Sequence, residues 1–450
     1  MNFRRGSLGI LVVCLVWFTA TRVGAIWQAQ PTSSAVKDAM GTRVSSDARI
    51  DQDLTRREAA LLQRVDQRLR QNPLDYEASL LKGLLYFKAG DLHLALSELD
   101  ALTRRAPKFQ LAHLIKGDLL LARYDQVSDI GQCGILAHLD SRQQEQLESL
   151  RDEARARLQG YLSLIGNQRI PEELVTLSRD VKAALVVDKS KHRLYVFENA
   201  QPGLPPRLVG DYYCVIGKLP GNKQLQGDMK TPEGVYFLTR HIPGDKLPDR
   251  YGDGAFPISY PNALDRHEGK TGNGIWLHGT DGEVYSRPPL DSDGCVVLSN
   301  DNLAAVSHYV QPGQTPVIIA HQVRWINSEE WLTRNHALLA ALQSWRQDWQ
   351  KGNLATYLNH YSSEFWSGRY NLKSWARRKK AVLSGKSFQR IALSGISILT
   401  YPERAADGRT LAVADFQQDY RSNNFSSDGP KRLYLVENGQ QWHILTELTP

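Results

Sequence analysis

The sequence predicts a multidomain chain of three differently built modules: an all-α helical-repeat N-terminal module, a mostly-β middle domain and an α+β cone-shaped C-terminal domain. Three observations carry this expectation. A set of residues recurs at a 34-position interval between Pro73 and Leu119. From Val181 the chain breaks into short β-rich runs divided by Gly, Pro and Asp clusters. From about Ser328, helices rich in Trp and Leu precede four strand-like runs. The bulk figures agree: 450 residues, 42% hydrophobic and 23% charged, exceed a single core and rule out wholesale disorder and a polytopic membrane protein. Four cysteines in this length rule out a disulfide-stapled miniprotein. The net charge of +7 suits an anionic partner without implying nucleic acid.

Taken in order, residues 1–25 read as an export signal. Arg4 and Arg5 form a charged start, Leu8 to Ala20 an uncharged apolar run, and Val23-Gly24-Ala25 a small-residue cleavage site. An uncleaved anchor is the alternative, although Arg22 shortens the apolar run below a comfortable bilayer span. The mature chain is therefore expected in the periplasm or cell envelope, touching the membrane only through this segment. Residues 26–50 are weakly patterned and expected to be a flexible lead-in. Residues 51–165 form the helical module: Pro73, Ala78, Leu80, Lys82, Gly83 and Leu85 return as Pro107, Ala112, Leu114, Lys116, Gly117 and Leu119. That interval is the tetratricopeptide length, and the segment resembles that family's pattern; an ordinary helical hairpin is the plainer reading. Either form suits a protein partner or self-association.

The middle domain, 181–322, holds the residues with chemistry. Strands are expected at Ala184–Asp188, Arg193–Glu198, Tyr212–Ile216, Gly234–Thr239, Ile275–His278 and Val317–Ala320. His278 and Cys295 stand 17 positions apart across a Gly-, Asp- and Pro-rich stretch, so a folded loop must bring them together. A neighbouring imidazole supplies the thiolate that thiol catalysis needs. Gly279 offers a carbonyl to orient that imidazole, in place of a triad carboxylate. Backbone N–H groups of Asp293, Gly294 and Cys295 offer an oxyanion hole, and Ser292 supports the loop. Taken singly, a Gly-Cys pair or a strand-end His is more often structural than catalytic. The combination is what counts.

His278-Gly279, a loop, then Ser292-x-Gly294-Cys295-Val296 resembles the signature of the YkuD-type L,D-transpeptidases of peptidoglycan. Other family marks follow in order: Val187-Asp188, Leu194-Tyr195-Val196-Phe197, Ile216-Gly217-Lys218, Lys230-Thr231-Pro232-Glu233-Gly234, and Tyr260-Pro261-Asn262 with Asp265. The resemblance implies a β-rich sandwich with Cys295 as nucleophile, His278 as general base and acid, and Gly279 as the orienting carbonyl. It implies attack on the amide between meso-diaminopimelate and the terminal D-Ala of a tetrapeptide stem. Tyr260 and Trp276 are candidate substrate contacts. Two positions depart from the pattern: Asp293 stands where His is common, and Val297 where Arg is common, removing a carboxylate partner.

The C-terminal domain, 328–450, with Trp345, Trp349, Tyr357, Tyr361, Phe365, Phe416 and Trp442, resembles the nuclear-transport-factor-2-like cone that follows such catalytic domains in some cell-shape L,D-carboxypeptidases. It carries most of the excess charge, with 17 Lys and Arg against 11 Asp and Glu from Arg324 onward. The run Arg377-Arg378-Lys379-Lys380 reads as a solvated helix face. Glu268-Gly269-Lys270-Thr271 fails as a phosphate loop because Leu264 replaces its first glycine. No zinc-ligand spacing occurs, so no metal and no cofactor are expected. Cys133 and Cys214 read as structural thiols. The leading expectation is L,D-transpeptidation of peptidoglycan stem peptides, with no nucleic acid partner. L,D-carboxypeptidation, with water as acceptor, shares every catalytic residue, and the flanking modules resemble those of carboxypeptidases. Release or attachment of a wall-linked protein is a third outcome at the same centre. A non-catalytic peptidoglycan-binding scaffold is the rival of another class.

Overall fold

The computed structural model describes residues 59–122, 139–162, 169–199, 201, 203–439 and 441–449. The expected export signal, the lead-in, Cys14 and Cys133 lie outside the described residues. The chain divides into two compact units, one comprising 1–165 with 283–288 and the other 166–282 with 289–450.

In the first unit, helices run over 59–71, Tyr76–Lys88, Leu92–Arg105, Gln110–Leu121 and Ser141–Leu162. Leu80, Ala95, Leu99, Leu102, Phe109, Ala112, Ile115 and Leu119 close their shared core. The 34-residue recurrence has a structural counterpart. Lys82 pairs with Asp66 at 3.2 Å, and Lys116, one interval later, pairs with Asp100 at 2.7 Å. Gly83 is where two helices approach: a Cβ there would lie 3.0 Å from Leu99 Cδ2. Asp75 caps the helix Tyr76–Lys88 by accepting from Ala78 N, satisfying an N–H that the helix itself cannot. Buried charges are paired: Arg157 meets Glu153 at 2.8 Å and Glu77 at 3.6 Å.

The second unit begins with the β-domain. A five-stranded sheet has the order Arg207–Tyr213, Arg193–Glu198, Ala183–Asp188, Pro316–Ala320, Gly234–Phe237. Every residue of Ala183–Asp188 and Pro316–Ala320 is buried, as their unbroken apolar runs require of strands covered on both faces. A second, four-stranded sheet has the order Val296–Val297, Trp276–His278, Gly254–Pro257, Ile242–Pro243. Leu185, Val187, Val196, Tyr236, Phe256, Leu277 and Val296 form the core shared by the two sheets. The expected strands thus exist, with Tyr212–Ile216 resolved into Arg207–Tyr213 and Ile216–Gly217. Polar groups left in this interior are paired, as Lys189 with Glu233 and Arg193 with Asp211, each at 2.6 Å.

The cone follows. Helices Ser328–Lys351, Leu354–Leu358 and Leu372–Ser384 pack on a sheet whose order is Leu174–Thr176, Gln389–Thr400, Leu411–Ser422, Ser426–Asn438, Gln441–Leu448. Asn327 and Glu330 close a capping box at the start of the long helix, and Gly352 ends it in the left-handed region. Trp345, Trp349, Tyr357, Tyr361, Phe365, Trp375 and Phe416 fill the interior. Two expectations change here. Residues 174–176, ahead of the expected start of the β-domain, serve as an edge strand of the cone sheet, with Thr176 opposite Ile398. The basic run on Leu372–Ser384 is not wholly solvated. Lys379 Nζ sits 4.6–5.3 Å from the ring centroids of Trp375, Trp349 and Tyr357. Burial lowers its amine to about 8, against the pull of Glu447. The cone is joined to the β-domain by Asn262 Nδ2 donating to Tyr401 Oη (2.9 Å), by Asn222 Nδ2 donating to Glu403, and by His267 stacked on Trp366 at 4.2 Å. No helix among the described residues is long and apolar enough to cross a membrane.

Candidate active site

Strand register brings the two ends of the 17-residue gap together. Trp276–His278 lies parallel to Val296–Val297, with Leu277 opposite Val296 and His278 opposite Val297. Cys295 therefore stands one residue ahead of the strand that flanks His278. Its other flank is Gly254–Pro257, with His278 opposite Ala255. His278 is 6% exposed, while Cys295 is only partly covered. The Cys295 Sγ lies 3.5 Å from the Gly274 carbonyl.

The imidazole is held on two sides. His278 Nδ1 lies 2.7 Å from the Gly279 carbonyl. A carbonyl only accepts, so Nδ1 carries the proton of the neutral ring and Nε2 is left as the basic nitrogen. Tyr251 meets the ring edge-on at 4.9 Å and 72°, and its carbonyl accepts from Gly279 N at 3.2 Å. Tyr251 also packs on Trp276 at 4.9 Å, so Trp276 is a half-buried wall of this side.

The turn that presents Cys295 closes on Ser292. Its hydroxyl donates to the Cys295 carbonyl at 2.6 Å and accepts from Gly294 N at 3.1 Å. Gly294 has φ +124°, and a Cβ there would lie 2.7 Å from the Lys230 carbonyl. Only glycine meets both demands. The Gly294 N–H, expected to face an oxyanion, is thus engaged by Ser292 in this conformation, because the tight turn folds it back on that hydroxyl. Asp293 is exposed and pairs with Lys218 at 3.0 Å. Ser292 itself is fixed by the pairing of Leu290–Ser292 with Ile216–Gly217 and by Lys218 N donating to its carbonyl at 2.8 Å. The neighbouring 223–230 turn is organised by Asp228. Although burial opposes it, Lys223 and three backbone N–H groups hold that carboxyl at about 2.

Tyr260, a candidate substrate contact, is a core side chain, 6% exposed, whose phenol donates to the Thr271 carbonyl at 3.1 Å. Two residues were missed. Tyr251 lies in a short 3-10 turn with no motif to mark it. Asn300 stands five positions after Cys295 and gathers the loops around the imidazole. Its Oδ1 accepts from Thr280 N (3.0 Å) and Asp253 N (3.3 Å), and its Nδ2 donates to the carbonyls of Thr280 (2.9 Å) and Gly282 (3.0 Å). Gly252 and Gly279 are glycines because a Cβ at either would run into Asn300 Oδ1. The recurrence of Gly beside the His and Cys was the available signal.

Comparison with known proteins shows what the chain is similar to. Residues 182–319 match the family model for the L,D-transpeptidase catalytic domain, YkuD, and residues 337–448 match that for the Cds6 C-terminal NTF2-like domain. Escherichia coli YafK, named a putative L,D-transpeptidase, is 33% identical over 90 residues, which are 20% of this chain and 32% of that protein. The match thus spans about a third of that relative's length. Bdellovibrio bacteriovorus Bd1075 superposes with TM-score 0.55 and 30% identity, covering 63% of this chain and 98% of that one. Campylobacter jejuni Pgp2, titled a helical cell shape determining protein, gives 0.52 and 29%, covering 62% and 96%.

Proposed function

Since the chain belongs to the YkuD L,D-transpeptidase family and carries an NTF2-like domain behind the catalytic one, we propose that it is a cell-envelope enzyme that remodels peptidoglycan stem peptides through a Cys295 acyl-enzyme. The observation that carries this reading is the register that sets Cys295 beside the His278 strand, with Gly279 fixing the imidazole tautomer. His278 Nε2 takes the thiol proton. The thiolate attacks the carbonyl of the diaminopimelate–D-Ala amide, and the tetrahedral oxyanion faces the Asp293–Cys295 turn. Asp293 and Cys295 N–H groups are the candidate donors, joined by Gly294 if Ser292 yields it. Collapse breaks the C–N bond, the proton passes from His278 to the departing amine, and D-Ala leaves. An amine acceptor, deprotonated by His278, then attacks the thioester and restores the thiolate.

The leading outcome is transpeptidation. Hydrolysis is the second reading, favoured by the resemblance of the cone behind the catalytic domain to that of cell-shape L,D-carboxypeptidases. In both readings Cys295 is the nucleophile, His278 the base and Ser292 the support of the turn. Purified protein given tetrapeptide muropeptides should yield cross-linked dimers if an amine accepts and tripeptides if water does, resolved by mass spectrometry. Cys295→Ala should abolish either product, and His278→Ala should lower turnover by orders of magnitude. Unchanged muropeptide with the wild-type protein, across several acceptors, would defeat the enzyme reading and leave the scaffold.

A further inference from the structure

Six residues of the stretch that joins His278 to Cys295 are not built into the β-domain at all. Residues Glu283–Pro288 belong to the helical unit. The Tyr285 ring meets Tyr76 edge-on at 4.9 Å and Phe109 at 5.8 Å, joining that unit's core cluster. The Tyr285 carbonyl accepts from Arg157 Nη2 at 2.8 Å. Arg157 is 5% exposed, so its guanidinium has no bulk water to fall back on. Arg287 hydrogen-bonds through its backbone to the buried Glu153, the residue that pairs with Arg157.

The contact at Ser286 is the most telling. The helix Gln110–Leu121 starts after Phe109, which has no side chain to cap it. In the preceding repeat the same position, 34 residues earlier, is Asp75, which caps its own helix. Ser286 Oγ accepts from Leu111 N at 2.9 Å and so supplies the cap that the second repeat lacks. The helical unit thus holds this segment from two elements: the second repeat takes its cap from Ser286 and sets Phe109 against Tyr285, and the helix Ser141–Leu162 turns the buried Arg157 toward the Tyr285 carbonyl.

We propose that the helical module is a clamp on the loop between His278 and Cys295, with Tyr285 and Arg157 as positioning residues. Pinning 283–288 leaves only short tethers, 279–282 and 289–294, between the pinned segment and the two reacting groups. A shorter tether has fewer conformations to lose when His278 and Cys295 come to their working geometry. The helical module then acts on the reaction through this loop. The catalytic meaning of the clamp rests on the acyl-enzyme reading above.

The test uses the full chain with Tyr285→Ala, Tyr285→Phe and Arg157→Met, each checked for helical content by circular dichroism. Two readouts are taken: steady-state turnover of tetrapeptide muropeptide, and the pH profile of Cys295 alkylation by iodoacetamide, followed on the Cys295 peptide by mass spectrometry. Tyr285→Ala and Arg157→Met should lower kcat by about 10- to 100-fold with KM changed less than about threefold, the scale of a displaced catalytic group. Their alkylation profile should move to higher pH, and Tyr285→Phe should restore both readouts. Wild-type kcat and profile in folded Tyr285→Ala would overturn the clamp. So would a fall in kcat with an unmoved alkylation profile, which marks a structural role only. If the wild-type protein turns over no muropeptide, the enzyme reading fails, and the alkylation profiles alone decide whether the loop is clamped.

Discussion

Replacing Asn300 by alanine probes the packing behind the imidazole. The side chain makes four hydrogen bonds to main-chain groups: two N–H donors, on Thr280 and Asp253, and two carbonyls, on Thr280 and Gly282. Each such bond contributes about 1 kcal/mol net, and an unmet group costs more when water cannot reach it. Asp253 and Gly282 are exposed and regain water, whereas Thr280 is 5% exposed and does not. The expected loss is therefore about 2–3 kcal/mol, which a domain stabilised by about 5–15 kcal/mol survives. The functional effect should be larger than the stability effect implies, because Gly279 carries both the carbonyl at His278 Nδ1 and the N–H held by Tyr251. Turnover should fall by about 10- to 100-fold. Asn300→Asp tests the reason. It keeps an acceptor for the two N–H groups but sets a charge against two carbonyl oxygens, so it should be no better than alanine. Urea denaturation and muropeptide turnover of the three proteins decide the matter. A loss under about 0.5 kcal/mol with unchanged turnover, or a fully active Asn300→Asp, would refute Asn300 as the tie.

Three other outcomes are expected. Gly294→Ala should leave a folded protein with turnover reduced at least 100-fold, because φ +124° and the Lys230 carbonyl at 2.7 Å force the turn to move; thermal melting and product assay check both halves. Asp293→Asn should change stability by less than about 1 kcal/mol in a melting experiment, since its bond to Lys218 is exposed to solvent. Glu403→Gln should flatten the pH dependence of stability. Burial, and then the charge of Glu233, raise the Glu403 carboxyl to about 7. A raised carboxyl adds stability that is fully present below its unfolded value, near 4.5, and is lost as pH rises through about 7. Wild type should thus weaken relative to the variant as pH rises between about 5 and 7, read from urea midpoints across that range.

Much of the fold and of the candidate site was legible because its signals are local. Alternation and turn residues located the strands, and the residue types at 278, 279, 292, 294 and 295 marked the candidate site before any geometry was known. Partner choice was not legible. Nothing in Leu174–Thr176 says that it will pair with Gln389–Thr400 of the cone, and nothing in Tyr285 says that it will pack on Phe109. Both depend on surfaces formed by residues more than 150 positions away. Lys379 illustrates the same limit: a basic run reads as solvated until the packing of Trp349, Tyr357 and Trp375 makes a place for one amine. Tyr251 and Asn300 escaped because a positioning role leaves no motif, only glycines at the points they approach.

Electrospray mass spectrometry of the intact protein mixed rapidly with tetrapeptide muropeptide tests the acyl-enzyme most directly. The account predicts a transient adduct equal to the muropeptide less D-Ala, mapped to the Cys295 peptide and absent from Cys295→Ala. A wild-type protein that releases D-Ala while no adduct forms on Cys295, or a Cys295→Ala protein that still releases it, would contradict the account.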